Sequence, residues 1–122
     1  MAQKVLIVED NALNLRLFTD LLRAHKFIVE PLSDGRDVMM KAAAFGPDLI
    51  IMDIQLPEVS GLDLIEALRR DGRFAATPIL AVTAYAGTGD EERILSAGAT
   101  GYVSKPISMK PFMEKVAEVL GR

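Results

Sequence analysis

Glu9 and Asp10 follow the apolar run Val5 to Val8, Asp53 follows Leu49 to Met52, and Thr83 follows Ile79 to Val82. Lys105, within Ser104-Lys105-Pro106, follows Tyr102-Val103. Runs this short, near-continuous in Val, Ile and Leu, fit strands buried on both faces of a parallel sheet. Parallel strands deliver the residues that follow them to one edge, so three carboxylates, a hydroxyl and an amine would share it. Carboxylates brought together repel, and a hard divalent cation with oxygen ligands removes the conflict. Mg²⁺ suits the set because it takes one or two carboxylates, keeps several waters and leaves positions for phosphate oxygens. A neighbouring ammonium and hydroxyl complete a clamp around a tetrahedral anion, and the chemistry suggested is phosphoryl transfer.

Taken singly, these residues have simpler roles. Asp10 is suited to cap a helix, Thr83 to fill a strand, Lys105 to sit in solvent, and Tyr102 to be a core or edge aromatic. His25, near a helix C-terminus, is assigned to the helix dipole and to no chemistry. Asp53 is harder to explain away, since it precedes a Leu-Pro-Glu loop instead of a helix start. The convergence carries the reading.

The elements that must position these groups alternate. Phe27-Ile28-Val29 adds a weaker fifth strand. Leu13, Leu17 and Leu21, with Phe18 and Leu22, predict a first helix over residues 11 to 25 with one wide apolar face. Asp34 and Asp37 resemble the start of a second, carrying Val38, Met39, Ala42 and Ala43 until Gly46-Pro47 stops it. Ser60 with Asp63 opens a third bearing Leu62, Ile65 and Leu68. Asp90, Glu91 and Glu92 load the first turn of a fourth, which Gly98 ends. Ser108 opens the fifth, with Pro111 in its first turn and Phe112, Val116, Val119 and Leu120 facing inward. Five β-α units predict an α/β fold, a parallel sheet covered by helices on both faces with its ligand chemistry at the carboxyl ends of the strands. Gly87-Thr88-Gly89 follows the wrong strand for a nucleotide loop and reads as freedom at the start of the fourth helix. Gly98-Ala99-Thr100-Gly101 reads as a helix stop and turn.

Composition narrows the function classes. The 122 residues, half of them hydrophobic and a quarter charged, suit one domain over residues 1 to 122 with no separate output domain. Absence of Cys and a single His exclude thiolate and multi-His metal sites, so any metal must be held by oxygen. No signal peptide pattern or membrane-length apolar run is present, which predicts a cytoplasmic protein without membrane insertion. A net charge of -3 gives no general pull toward nucleic acid.

Val5-Leu6-Ile7-Val8-Glu9-Asp10-Asn11, Asp48 to Pro57 with Gly61, Ala81-Val82-Thr83-Ala84 and Gly101-Tyr102-Val103-Ser104-Lys105-Pro106 together resemble the receiver domain of two-component response regulators. The likeness runs in register over essentially the whole chain. It implies a flavodoxin-like (βα)5 fold with strand order 2-1-3-4-5, in which Asp53 accepts a phosphoryl group from a phosphohistidine. Glu9 and Asp10 then match the acidic pair that organises Mg²⁺, with Asp10, Asp53 and the backbone carbonyl of Gln55 as ligands. Thr83 and Ala84 match the phosphoryl-binding switch, Lys105 the lysine that pairs with a phosphoryl oxygen, and Tyr102 the aromatic that moves inward with the threonine. The same likeness implies a cis Lys105-Pro106 peptide.

It further implies a histidine donor, a histidine kinase or a histidine phosphotransfer protein, docked near Asn11, Asn14 and Leu15. The readout surface would lie around Arg93, Ile94, Tyr102 and Lys110 on the fourth helix, fifth strand and fifth helix, and would control a kinase-like or adaptor partner. The chain would be a monomer or weak dimer that assists its own phosphorylation and dephosphorylation without being an enzyme in the ordinary sense. Glu9-Asp10 departs from the commoner Asp-Asp, and the longer first carboxylate should still reach the metal shell. Gln55 and Tyr85 stand where the family tunes access of hydrolytic water. Asn14, Glu58-Val59-Ser60-Gly61, Gly89 to Ile94 and Ile107-Ser108 extend the likeness toward DivK-type single-domain regulators of bacterial cell-cycle and developmental circuits.

Two other readings start from the same fold. A haloacid-dehalogenase-type phosphohydrolase also places its nucleophilic Asp after a buried strand, but needs a second acid two residues on, where Gln55 cannot transfer a proton. A flavodoxin-like binding module needs a neutral, N–H-rich loop after the first strand, where Glu9-Asp10 places negative charge.

Overall fold

The computed structural model describes residues 2–84 and 89–121. Tyr85, Gly87 and Thr88 lie outside the described residues. The order is β1 (Lys4–Val8), α1 (Ala12–Ala24), β2 (Ile28–Leu32), α2 (Val38–Phe45), β3 (Leu49–Asp53), α3 (Gly61–Arg70), a 3-10 turn (Gly72–Phe74), β4 (Ile79–Thr83), α4 (Asp90–Ala97), β5 (Gly101–Ser104) and α5 (Met109–Val119). The sheet is parallel throughout, in the order β2-β1-β3-β4-β5. Among the described residues no helix is long and apolar enough to cross a membrane.

Alternation along the strands splits the core in two. Leu6, Val8, Ile50, Met52, Ile79 and Ala81 pack toward Val38 and Ala42 of α2, Leu64, Ile65 and Leu68 of α3, and Ile94 of α4. Val5, Ile7, Leu49, Ile51, Leu80 and Val82 pack toward Phe18 and Leu22 of α1 and Phe112 and Val116 of α5. Phe18 and Phe112 stack with ring centroids 5.0 Å apart, a contact worth about 0.5–1.5 kcal/mol beyond its buried area. The register sets Val8 beside Met52 and Asp53 beside Val82, so β1, β3 and β4 end at the same level.

Several local expectations are corrected. Helix α1 has two apolar stripes: Phe18 and Leu22 enter the core, whereas Leu13 and Leu17 are 68% and 56% exposed. A helix beside a sheet buries one stripe, and β-branched and aromatic residues below claim the Phe18 side. Helix α2 starts at Val38 rather than at Asp34, because Asp34 accepts from the Arg36 backbone N–H and pairs with its guanidinium at 2.9 Å, forming a turn. Strand β2 continues through Glu30 and Pro31 to Leu32. Proline is tolerated there because β2 is an edge strand. The Ile28 N–H donates to Gln3 and the Leu32 carbonyl accepts from Glu9, so Val29 and Pro31 turn their backbones outward. The outward Val29 carbonyl accepts from Arg23 at 3.2 Å.

Arg69, which sequence reasoning passed over, staples the lower side of the helical layer. Its guanidinium donates to the carbonyls of Phe74 (2.7 Å), Thr77 (2.6 Å) and Gly98 (2.8 Å), tying α3, the 3-10 turn and the end of α4 together. Burial lowers its pKa, and no alternation or spacing pattern announces a side chain whose partners are loop carbonyls.

Candidate functional site at the carboxyl ends of the strands

The loop after β3 turns sharply, and Gly61 makes the turn possible. A Cβ at Gly61 would fall against the Asp53 carbonyl and 2.7 Å from Ile54 Cα. The Gly61 N–H donates to Ile54 at 3.1 Å and the Ser60 hydroxyl caps α3 by accepting from Leu62 at 3.2 Å. This packs α3 against the end of β3 and leaves Asp53 at the bottom of a cleft, 1% exposed.

The Asp53 carboxylate is held on both oxygens. Oδ1 accepts from the Gln55 backbone N–H at 2.9 Å and Oδ2 from Lys105 Nζ at 3.1 Å. Glu9 is as deeply buried; its Oε2 accepts from the Asn11 N–H at 3.1 Å. Glu9 Oε1 lies 3.2 Å from Lys105 Nζ, yet no hydrogen bond of good geometry reaches it among the described residues. Asp10 stands exposed at the mouth, and Glu9, Asp10 and Asp53 bring carboxylate oxygens within 4.8 Å of one another. The Lys105-Pro106 peptide is cis.

One ammonium against three carboxylates leaves an excess of negative charge. Two carboxylates at that spacing repel by on the order of 3–4 kcal/mol at an effective dielectric near 20. Burial first, and then the hydrogen bond and charge of Asp53, push Glu9 up to about 7, against the pull of Asn11 and Lys105. Burial opposes the charge on Lys105, but the hydrogen bond of Asp53 and the charges of Asp53 and Glu9 outweigh it and raise its pKa. An orphaned buried carboxylate oxygen, an all-oxygen donor set and an open mouth at Asp10 fit a small hard dication.

Thr83, 1% exposed, ends β4 across from Asp53, and its carbonyl accepts from the Lys105 N–H at 2.7 Å. Gln55 reaches it through a contact that spacing alone does not reveal. The Gln55 Nε2 donates to Thr83 Oγ1 at 3.2 Å, and its Oε1 accepts from the Ala84 N–H at 3.0 Å. Position two residues after Asp53 was the available signal, and the length of the amide was the unread part.

Residues expected at partner surfaces divide. Asn11 is exposed and caps α1 by accepting from Asn14 at 2.9 Å. Leu15, expected on the surface, is half-buried against the α1–α5 core. The exposed apolar residues nearby are Leu13, Leu17 and Met109. Arg93 and Lys110 are exposed. Ile94, also expected there, is 2% exposed and belongs to the core under α4, while Leu95 takes the outward position. Tyr102 is half-buried, and a hydrogen bond with Glu91 of α4 raises its pKa, with burial adding to the effect.

Comparison with known proteins agrees with this geometry. The model of the response regulator receiver domain matches residues 5–117. The polar-differentiation response regulator DivK of Brucella anthropi is 46% identical over 99% of this chain and 98% of its own length. The chemotaxis response regulator CheY4 of Vibrio cholerae superposes with a TM-score of 0.93 at 28% identity, over 98% of this chain and 99% of that one. The receiver domain of a Pseudomonas aeruginosa sensor histidine kinase, with a magnesium ion coordinated in its active site cleft, gives 0.90 at 30% identity over the whole of both chains. The buried Asp53 carboxylate, acidic cluster, lysine and fold thus coincide with a match that spans nearly the whole sequence, and the chain belongs to the response regulator receiver domain family.

Proposed function

We propose that this chain is a phosphorylation-dependent switch of a two-component phosphorelay, acting as a cytoplasmic single-domain regulator over residues 1 to 122. The observation that carries the reading is Asp53, a buried carboxylate at a strand end, held between Lys105 and the Gln55 N–H and grouped with Glu9 and Asp10. An Asp53 oxygen forms the new P–O bond as the P–N bond of a phosphohistidine breaks, its electron pair leaving on the imidazole. Lys105 neutralises a phosphoryl oxygen, Thr83 and Ala84 supply donors to the others, and positioning accounts for most of the rate. Glu9, Asp10, Asp53 and the Gln55 carbonyl would hold Mg²⁺. That ion, when bound, screens the carboxylates from the incoming anion.

The histidine donor, a histidine kinase or phosphotransfer protein, docks over α1. A groove of about 640 Å³ is lined by Asn14, Leu17, Phe18, Ile107, Met109 and Lys105, the residue that reaches Asp53, and an apolar helical partner face suits it. Readout by a kinase-like or adaptor partner uses α4, β5 and α5, around Arg93, Tyr102 and Lys110, with Tyr102 leaving Glu91 as Thr83 moves toward the phosphoryl group. Likeness to DivK supports a role in cell-cycle or developmental signalling.

Incubation with acetyl phosphate, followed by intact mass, tests the proposal. A phosphoryl-sized gain that requires Mg²⁺ and is absent in Asp53→Asn is expected. A gain that persists in Asp53→Asn, or no beryllofluoride binding by a protein that shows no gain, overturns it.

A further inference from the structure

Gln55 makes three hydrogen bonds that link the acceptor to the end of β4. Its backbone N–H holds Asp53 Oδ1, its Nε2 donates to Thr83 Oγ1, and its Oε1 accepts from the Ala84 N–H. The last two engage the groups that a phosphoryl oxygen on Asp53 would use. The Ala84 N–H has one proton and makes one strong bond at a time, so the carboxamide oxygen and a phosphoryl oxygen compete for it. A charged acceptor forms the stronger bond, so the phosphoryl group wins, but its gain is reduced by what the carboxamide gives up.

We propose that the Gln55 side chain is a positioning latch, which holds the Thr83-Ala84 end of β4 in its resting place and must be displaced before that end can close on a phosphoryl group. The inference rests on the reading of Asp53 as phosphoacceptor and assigns the resting state's brake to one side chain. The displaced carboxamide has a place to go. A cavity of about 180 Å³ adjoins it, lined by Ser60, Asp90, Arg93 and Ile94 as well as Gln55 and Thr83. Asp90 offers an acceptor for the amide N–H₂, and the Ser60 hydroxyl and Arg93 guanidinium offer donors for its oxygen. Asp90 and Arg93 belong to the first turn of α4, so the released side chain exchanges partners on β4 for partners on the helix of the proposed readout face. Loss of the latch pre-organises the site, and the apparent affinity for a phosphoryl-like anion rises as the competent fraction rises.

Beryllofluoride with Mg²⁺ is the probe, titrated against wild type, Gln55→Met, which keeps length without the amide, and Gln55→Asn, whose amide is too short to span to Ala84. Both variants keep the backbone N–H on Asp53, and Mg²⁺ is titrated on each without the anion, so that the beryllofluoride titrations are run at saturating Mg²⁺ and a change at the metal does not enter the comparison. Their beryllofluoride affinity should be about five- to tenfold tighter, the size of one or two neutral hydrogen bonds no longer in competition. Exchange of the Ala84 amide should be several-fold faster in the variants without the anion and equal to wild type at saturation. Equal or weaker anion affinity in both variants, or unchanged Ala84 exchange, overturns the latch and leaves the phosphoacceptor reading standing. A wild type that binds no beryllofluoride overturns both.

Discussion

Lys105 serves two buried carboxylates with one charge, 3.1 Å from Asp53 and 3.2 Å from Glu9. It therefore competes with any cation in the cleft, while the proposed function needs it for the incoming anion, and its removal should act on the two in opposite directions. Lys105→Ala is expected to tighten Mg²⁺ binding and yet slow phosphorylation by acetyl phosphate about 100-fold, the usual cost of losing one preorganised electrostatic partner. Metal titration and the rate of mass gain, measured on one preparation, check both signs. At this scale the carboxylates, Thr83 and Lys105 were legible because each stands directly after an apolar run, and strand direction does the rest. The Gln55 side chain was not legible in the same way: its partners lie 28 and 29 residues away on another strand, and only the register of β3 against β4 brings them within reach.

Among the elements, α1 shows how far periodicity reaches and where it stops. The i, i+4 leucines predicted a helix, and a helix is found. Which of its two apolar stripes meets the sheet depends on how the helix lies against the strands, and that placed Phe18 inside and Leu13 and Leu17 outside. Ile94 and Leu95 on α4 present the same ambiguity in miniature. Strand β2 was underestimated because Glu30-Pro31 interrupts the apolar run, as an edge strand with one neighbour allows. The exposed stripe of α1 leads to a prediction. Leu17→Asp should slow phosphoryl transfer from a histidine phosphotransfer protein at least tenfold while leaving acetyl phosphate labelling within twofold of wild type, since Leu17 lines the groove without touching Asp53. Equal loss with both donors would place the defect in the fold instead of in docking.

For the molecule as a whole, the acidic cleft couples ligand binding to stability. A group that binds the folded chain and not the unfolded one stabilises by mass action, about 2.7 kcal/mol at a hundredfold excess over its dissociation constant. In a chain of this length that corresponds to a rise of roughly 10 °C in the unfolding midpoint. Calorimetry with Mg²⁺ and with a chelator should show that rise in wild type and little of it in Asp10→Ala, whose carboxylate is exposed and contributes little to packing. Sequence alternation sufficed for the five β-α units, and the match of strand ends sufficed for the cleft. The Arg69 staple escaped because its shortest bonds go to backbone carbonyls, which every residue carries.

The β2 edge has a further consequence. The two residues whose backbone groups face outward are Val29, whose carbonyl is taken by Arg23, and Pro31, which has no N–H to give. A visiting strand finds no continuous ladder to copy, so templated growth, of the kind that seeds fibrils from open parallel sheets, is blocked on that side by one guanidinium and one imide ring. Molecules of this protein crowded together therefore meet on that side through side chains, where contacts form and release without the cooperative zippering of backbone to backbone.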